Sequence, residues 1–174
     1  MFSKIPFLIL MFIFSISIQA QDVFDAARNG DLEAMNLLYE ADSNCINLKN
    51  SQNYNPLILA CYYDQLEFVE FLIEKKVLLN LENNSATALQ AATYKGSTKI
   101  VSALLKYGAD PNIVDANGTS PLIYATQFQH YEILKLLLKY QADQGYKDLS
   151  GNTALDYAEK LKIEKAIKIL KLKN

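Results

Sequence analysis

The chain has 174 residues, with 17 Lys and Arg against 19 Asp and Glu, for a formal net charge of −2. That length leaves room for one domain, and the near-balanced charge points away from nucleic acid as a partner. One His, two Cys and no Trp leave little material for proton shuttles, activated nucleophiles or metal clusters.

The first element is a segment unlike the rest. Met1 to Ala20 carries one Lys, then the apolar run Phe7 to Ile18, then small residues up to Ala20 before the polar Gln21-Asp22. This reads as a secretory signal peptide occupying 1-20, cut after Ala20, with Ile18 an unusual residue before the cut. The apolar run falls short of the roughly 20 residues that span a bilayer, and an uncleaved membrane anchor is the alternative. No Cys lies near the cut, which argues against a lipid-modified terminus.

From residue 21 to 174 the chain repeats itself. Leu57/Ala60, Leu89/Ala92, Leu122/Ala125 and Leu155/Ala158 recur with a period of about 33 residues, and Val23/Ala26 is an earlier copy. A second apolar cluster keeps step: Met35/Leu38, Val69/Leu72, Val101/Leu104, Leu134/Leu137 and Ile167/Leu170. Two short apolar faces per period predict two short helices per repeat, and single repeats of this kind bury their apolar faces only against neighbours. The repeats fall at about 22-49, 50-81, 82-114, 115-147 and 148-174.

Taken in order, the first copy, Val23 to Ala41, lacks a Thr-Pro opening. The second carries Asp64 between its helices and closes on Lys76-Val77-Leu78-Leu79-Asn80. The third runs from Thr87-Ala88-Leu89-Gln90-Ala91-Ala92 through Gly96 to Lys106-Tyr107-Gly108-Ala109-Asp110-Pro111-Asn112, and Gly108 is a left-handed helix stop. The fourth opens Asp115-Ala116-Asn117-Gly118-Thr119-Ser120-Pro121-Leu122 and has Gln129 between its helices. Ser or Thr caps each first helix, and Pro takes the first helical position, where no amide donor is needed. The fifth, from Asn152-Thr153-Ala154-Leu155, runs into a Lys-rich helix, as a capping repeat should.

These residues resemble the ankyrin repeat, and the resemblance covers about residues 22 to 171. It implies an all-α solenoid of helix-turn-helix units with projecting β-turn tips, four to five repeats including caps. The family has Gly where Asp64 and Gln129 stand, and Gly-Ala-Asp where Lys76-Val77-Leu78 stands, so these junctions are expected to be looser.

Catalytic chemistry is not announced. His130 falls where the family has a His that holds neighbouring loops, and that structural role is expected of it. No phosphate loop, His-Glu-x-x-His or Gly-x-Ser-x-Gly occurs, and no cofactor or metal is called for. Cys61 is expected to be packed and inert and Cys45 to lie in a loop, as free thiols, with a bridge as the alternative in an oxidising compartment. Asn83-Asn84-Ser85 and Asn117-Gly118-Thr119 match a glycosylation sequon, but turn chemistry accounts for them as well.

The resemblance implies that partners bind along turn tips and a concave groove. Alignment places the tips at Asn50-Ser51-Gln52 with Tyr54, Glu82-Asn83-Asn84 with Ala86, Asp115-Ala116-Asn117 with Thr119, and Asp148-Leu149-Ser150 with Asn152. The groove positions are Arg28-Asn29, Tyr62-Tyr63, Tyr94-Lys95, Gln127-Phe128 and Lys160-Leu161. Tyr54, Tyr62, Tyr63, Tyr94 and Phe128 would form an aromatic strip, and with Lys95 and Gln127 they are the candidate partner-binding residues; clustered exposed aromatics mark interaction faces. The C-terminal Lys160, Lys162, Lys165, Lys168, Lys171 and Lys173 are the solvated side of a capping helix whose apolar side is Ile163, Ala166, Ile167, Ile169 and Leu170. The expectation is a non-catalytic, monomeric module that binds another protein, exported in bacterial fashion to the periplasm or beyond. A membrane-tethered scaffold is the alternative.

Overall fold

A computed structural model describes residues 23–81 and 86–172. The signal-peptide segment, the tip at Glu82-Asn83-Asn84, the first sequon and Lys173 lie outside the described residues. The described chain is a run of helix pairs: α1 (23–29) with α2 (Leu32–Ala41), α3 (Pro56–Tyr62) with α4 (Leu66–Glu74), and α5 (Ala88–Lys95) with α6 (Thr98–Lys106). Then come α7 (Pro121–Gln127) with α8 (Tyr131–Lys139), and α9 (Ala154–Lys160) with α10 (Glu164–Lys171).

Helices this short are marginal alone in water, so local caps and tertiary burial must hold them. The side chains of Asn55, Thr87, Ser120 and Thr153 accept hydrogen bonds from the amides of Ile58, Gln90, Ile123 and Asp156, capping α3, α5, α7 and α9. Thr87 with Gln90 and Thr153 with Asp156 form reciprocal capping boxes. Pro56 and Pro121 open α3 and α7 at the first helical position. Asn55 replaces the Ser or Thr expected there and is buried.

First helices pack on first helices, α3 on α5, α5 on α7 and α7 on α9, while α4, α6, α8 and α10 form the second layer. The core between the layers is made of the residues that set the sequence period, among them Leu57, Ala60, Leu72, Leu89, Ala92, Leu104, Leu122, Ala125 and Leu137, all fully buried. On α10, Ile163, Ala166, Ile169 and Leu170 are buried and Lys165, Lys168 and Lys171 exposed, so the basic stripe is the outer face of a cap. Lys171 pairs with Glu159 at 2.8 Å, and the Lys165 ammonium lies 4.4 Å from the Tyr131 ring centroid.

The atypical junctions, expected to be looser, keep the backbone geometry of the others. Asp64, Gln129 and Lys162 take the left-handed conformation that Gly30 and Gly96 take, with φ of 58°, 58° and 56°. The same bond closes each turn: Gln65 N to Ala60 O at 2.9 Å, Ser97 N to Ala92 O at 3.0 Å and His130 N to Ala125 O at 2.9 Å. Lys76 and Gln141 likewise replace Gly108 at φ 61° and 65°. Interlayer packing outweighs the cost of about 1–2 kcal/mol for an L side chain in that region. Val77 then buries itself in the place of Ala109 and Ala142.

Successive pairs are also bonded to each other by Asn side chains. Asn47 Oδ1 accepts from Leu78 N at 3.1 Å, Asn80 from Asp110 N at 2.9 Å, and Asn112 from Asp143 N at 2.8 Å. Gly145 follows in that series and carries no amide side chain to continue it. The segment around Cys45, expected as a loop, is a 3-10 turn, Ser43–Asn47, that buries Cys45 and Ile46.

Candidate functional site

Each first helix ends on one or two residues that the packing leaves uncovered. Tyr62, Tyr63, Tyr94 and Phe128 occupy such places and are each between 43% and 49% exposed. Their rings form one chain of contacts. Tyr62 meets Tyr63 edge-on at 5.4 Å and Tyr94 in a stacked arrangement at 6.3 Å with 9° between planes. Tyr94 meets Phe128 edge-on at 4.9 Å, and Phe128 stacks on His130 at 6.1 Å. Lys95 sets its ammonium 5.0 Å from the Tyr62 ring centroid.

A cavity of about 420 Å³ opens between the strip and the turn tips. Its floor is Ile58, Leu59, Gln90 and Ala91; Tyr62, Tyr63 and Tyr94 rise on the helix side, and Gln52, Tyr54 and Ala86 on the tip side. The reason for the hollow is local. Leu59, Ala91 and Tyr124 hold equivalent places on α3, α5 and α7, and the small Ala91 falls between two larger side chains.

Tyr124 was not anticipated. Its ring meets Tyr94 edge-on at 6.2 Å and stacks on Phe128 at 6.1 Å, while its hydroxyl donates to Asp115 Oδ2 at 2.7 Å. Burial first, then the Asp115 hydrogen bond, pushes the phenol well above its ordinary range. Asp115 thereby ties the tip to the helix wall: its Oδ1 also accepts from Asn117 N at 2.9 Å and Thr119 N at 2.7 Å. Tyr157 and Asp148 repeat the pairing in the fifth unit. The signal was a Tyr two residues after the helix-opening Leu, in Leu122-Ile123-Tyr124 and Leu155-Asp156-Tyr157.

Of the expected residues, Tyr62, Tyr63, Tyr94, Phe128 and Lys95 come together as one strip, and Tyr54 lines the same cavity from the tip side. Gln127 is half-buried and belongs neither to the ring contacts nor to the cavity wall. Arg28 was assigned to the groove by position, and it lines the cavity. His130 does the holding work expected of it, with Nε2 at 3.3 Å from the Tyr94 carbonyl oxygen. Gln65 does the same one unit earlier, its Nε2 donating to Arg28 O at 2.8 Å.

Elsewhere the groups that carry chemistry are quiet. Cys45 and Cys61 are free and buried. Burial, then the Asp42 charge, pushes the Cys45 thiol up to about 11, and burial with Asp64 raises Cys61 further, so both stay protonated and poorly nucleophilic. Among the described residues no cluster of His, Cys, Asp or Glu could hold a metal ion, and no helix is long and apolar enough to cross a membrane.

Comparison with known proteins agrees with this architecture. The family model for ankyrin repeats in three copies matches residues 23–115 and 108–174. The chain is 36% identical over 99 residues to the rat protein Ankyrin repeat and SAM domain-containing protein 6, covering 56% of this chain and 11% of that one. It is 31% identical over 103 residues to mouse Ankyrin repeat and SOCS box protein 11, covering 59% and 32% respectively. A Drosophila melanogaster protein, E3 ubiquitin-protein ligase Ufd4, is 31% identical over 102 residues, which are 59% of this chain and 4% of that relative. The chain thus spans a minor part of these relatives, and the bacterial origin expected from the sequence finds no support among these three animal proteins. The helix pairs, the Asn ladder and the family match together show that the chain belongs to the ankyrin-repeat family.

Proposed function

We propose that the protein is a non-catalytic module that binds a partner protein through its concave groove and turn tips, and that it acts outside the cytoplasm. Ankyrin repeats typically serve as interaction modules. The observation that carries the reading for this chain is the strip Tyr62, Tyr63, Tyr94, Phe128, whose rings touch one another while nearly half of each stays exposed. Large aromatics lend contact area at low cost in side-chain entropy, and a contiguous set left open to solvent is what an interface core needs. Removal of two of them tests it. Tyr62→Ala with Tyr94→Ala is expected to weaken partner capture from the native cell envelope while helical content by circular dichroism is unchanged. Unaltered capture by that variant overturns the reading.

The extracytoplasmic part rests on the Met1 to Ala20 segment alone, with its apolar run and small residues before Gln21. N-terminal sequencing of the protein recovered from cells is expected to begin at Gln21. A start at Met1 with the protein in the membrane fraction would favour the tethered scaffold.

A further inference from the structure

The hollow over Ala91 is one-sided in its electrostatics. Arg28 is the one charged residue that lines it among the described residues, and the next charge along the strip is Lys95, held over Tyr62. The whole chain is net negative, so this local choice does not follow from composition. Asp25 engages one guanidinium nitrogen of Arg28 but is not part of the wall, and the remaining N–H groups have no partner among the described residues. Asp115, a carboxylate of the fourth tip, is occupied by its own turn and by Tyr124. Gln90 offers nothing outward: its oxygen accepts from Thr87 N at 2.7 Å and its Nε2 donates to Thr119 O at 2.9 Å.

The hollow therefore presents aromatic faces over a mostly apolar floor, with Arg28 in its wall and Lys95 on the adjoining strip. Its volume, about 420 Å³, lies near the small end of the range of pockets that take a ligand, room for one or two side chains rather than a long insert. The geometry points to an extended acidic peptide segment as the occupant, with one ring-bearing apolar side chain seated over Ala91 against Tyr62 and Tyr94 and flanking carboxylates meeting Arg28 and Lys95. This deepens the protein-binding reading and rests on it. Single-stranded nucleic acid also combines rings with negative charge, but it requires a continuous basic track along the backbone, and two cations on a net-negative protein do not make one.

The test is selection of a displayed random-peptide library on the immobilised full chain, followed by affinity measurement of the enriched peptides and of a labelled oligothymidine. Enriched peptides are expected to carry net negative charge and a ring-bearing residue. Their affinity should fall at least about tenfold for Ala91→Phe, which fills the hollow, and for Arg28→Glu with Lys95→Glu, which reverses its rim. The charge variant lies on the surface and keeps the test decisive if Ala91→Phe disturbs folding. Enriched peptides that are neutral or basic, yet lose binding with Tyr62→Ala plus Tyr94→Ala, would overturn the chemistry assigned here and leave the groove as a protein-binding face. Oligothymidine binding that needs Tyr62 and Tyr94 would overturn the peptide assignment. Enrichment insensitive to all these variants, or none, would overturn the groove reading itself.

Discussion

His130 reaches back across one repeat so that its Nε2 lies 3.3 Å from the backbone carbonyl oxygen of Tyr94, near the end of α5, the first helix of the preceding repeat. The contact is possible only because residue 96 between the helices is Gly: a Cβ there would stand 2.7 Å from the His130 ring carbon Cε1, in a backbone conformation of φ 77°. One bond thus fixes the carbonyl end of the helix that carries Tyr94 and the ring on which Phe128 stacks.

Gly96→Ala should therefore destabilise the protein by about 1–3 kcal/mol, combining a left-handed alanine with displacement of the His130 ring. His130→Ala should cost less, about 1 kcal/mol, since it removes one hydrogen bond and one ring contact. Thermal melts followed by circular dichroism check both. Equal stability of Gly96→Ala and wild type would mean that the ring does not sit over the glycine.

Lys76 is exposed and left-handed at φ 61°, in the place that Gly108 takes at φ 100° one repeat later. Lys76→Gly should stabilise the chain by about 0.5–1 kcal/mol, the strain relieved less the entropy that Gly adds to the unfolded state. The reverse change isolates the same term, because a Cβ on Gly108 would meet nothing within 4 Å. Gly108→Ala should cost about 1 kcal/mol in chemical denaturation with an unchanged slope.

Thr93 is fully buried on α5 and its hydroxyl has no hydrogen-bond partner among the described residues, whereas Thr126, the matching residue on α7, donates to Leu122 O at 2.9 Å. A buried unpaired hydroxyl costs about 1–3 kcal/mol. Thr93→Val, nearly the same shape, is expected to raise Tm by a few degrees, and Thr126→Val to lower it or leave it unchanged. Differential scanning calorimetry of the two variants separates these outcomes.

The fifth tip should be acid-sensitive. The hydrogen bond from Tyr157, with backbone bonds from Asn152 and Ser150, holds the Asp148 carboxyl below its usual range. A carboxyl with a lowered folded-state pKa adds stability above its unfolded value, about 3.9, and that stability is lost as pH falls through the folded value. Tyr157→Phe removes the largest cause of the shift. Its Tm should lie below wild type at pH 6, and the gap should narrow as pH falls below that unfolded value. A gap of constant size across that range would show that the phenol contributes through packing alone.

Much of the architecture was legible in the sequence because its causes are local. The Leu/Ala period set the helix pairs, Thr87, Ser120 and Thr153 marked helix starts, and Pro56 and Pro121 sat where a missing amide does no harm. Position within the repeat was enough to put Tyr62, Tyr94, Lys95 and Phe128 on one face. Asp64, Lys76 and Gln129 misled for the opposite reason: their local preference is against a left-handed turn, and burial of the helices on either side overrides it. Only the tertiary structure decided which groups meet across repeats. The near-parallel stacking of Tyr62 on Tyr94, the hollow left by Ala91 between Leu59 and Tyr124, and the placement of Arg28 as the charge at its wall each join residues about one period or more apart. Such pairings depend on how far one helix is translated and turned against the next, and that is set by the packed volumes of both layers together, which no single repeat encodes.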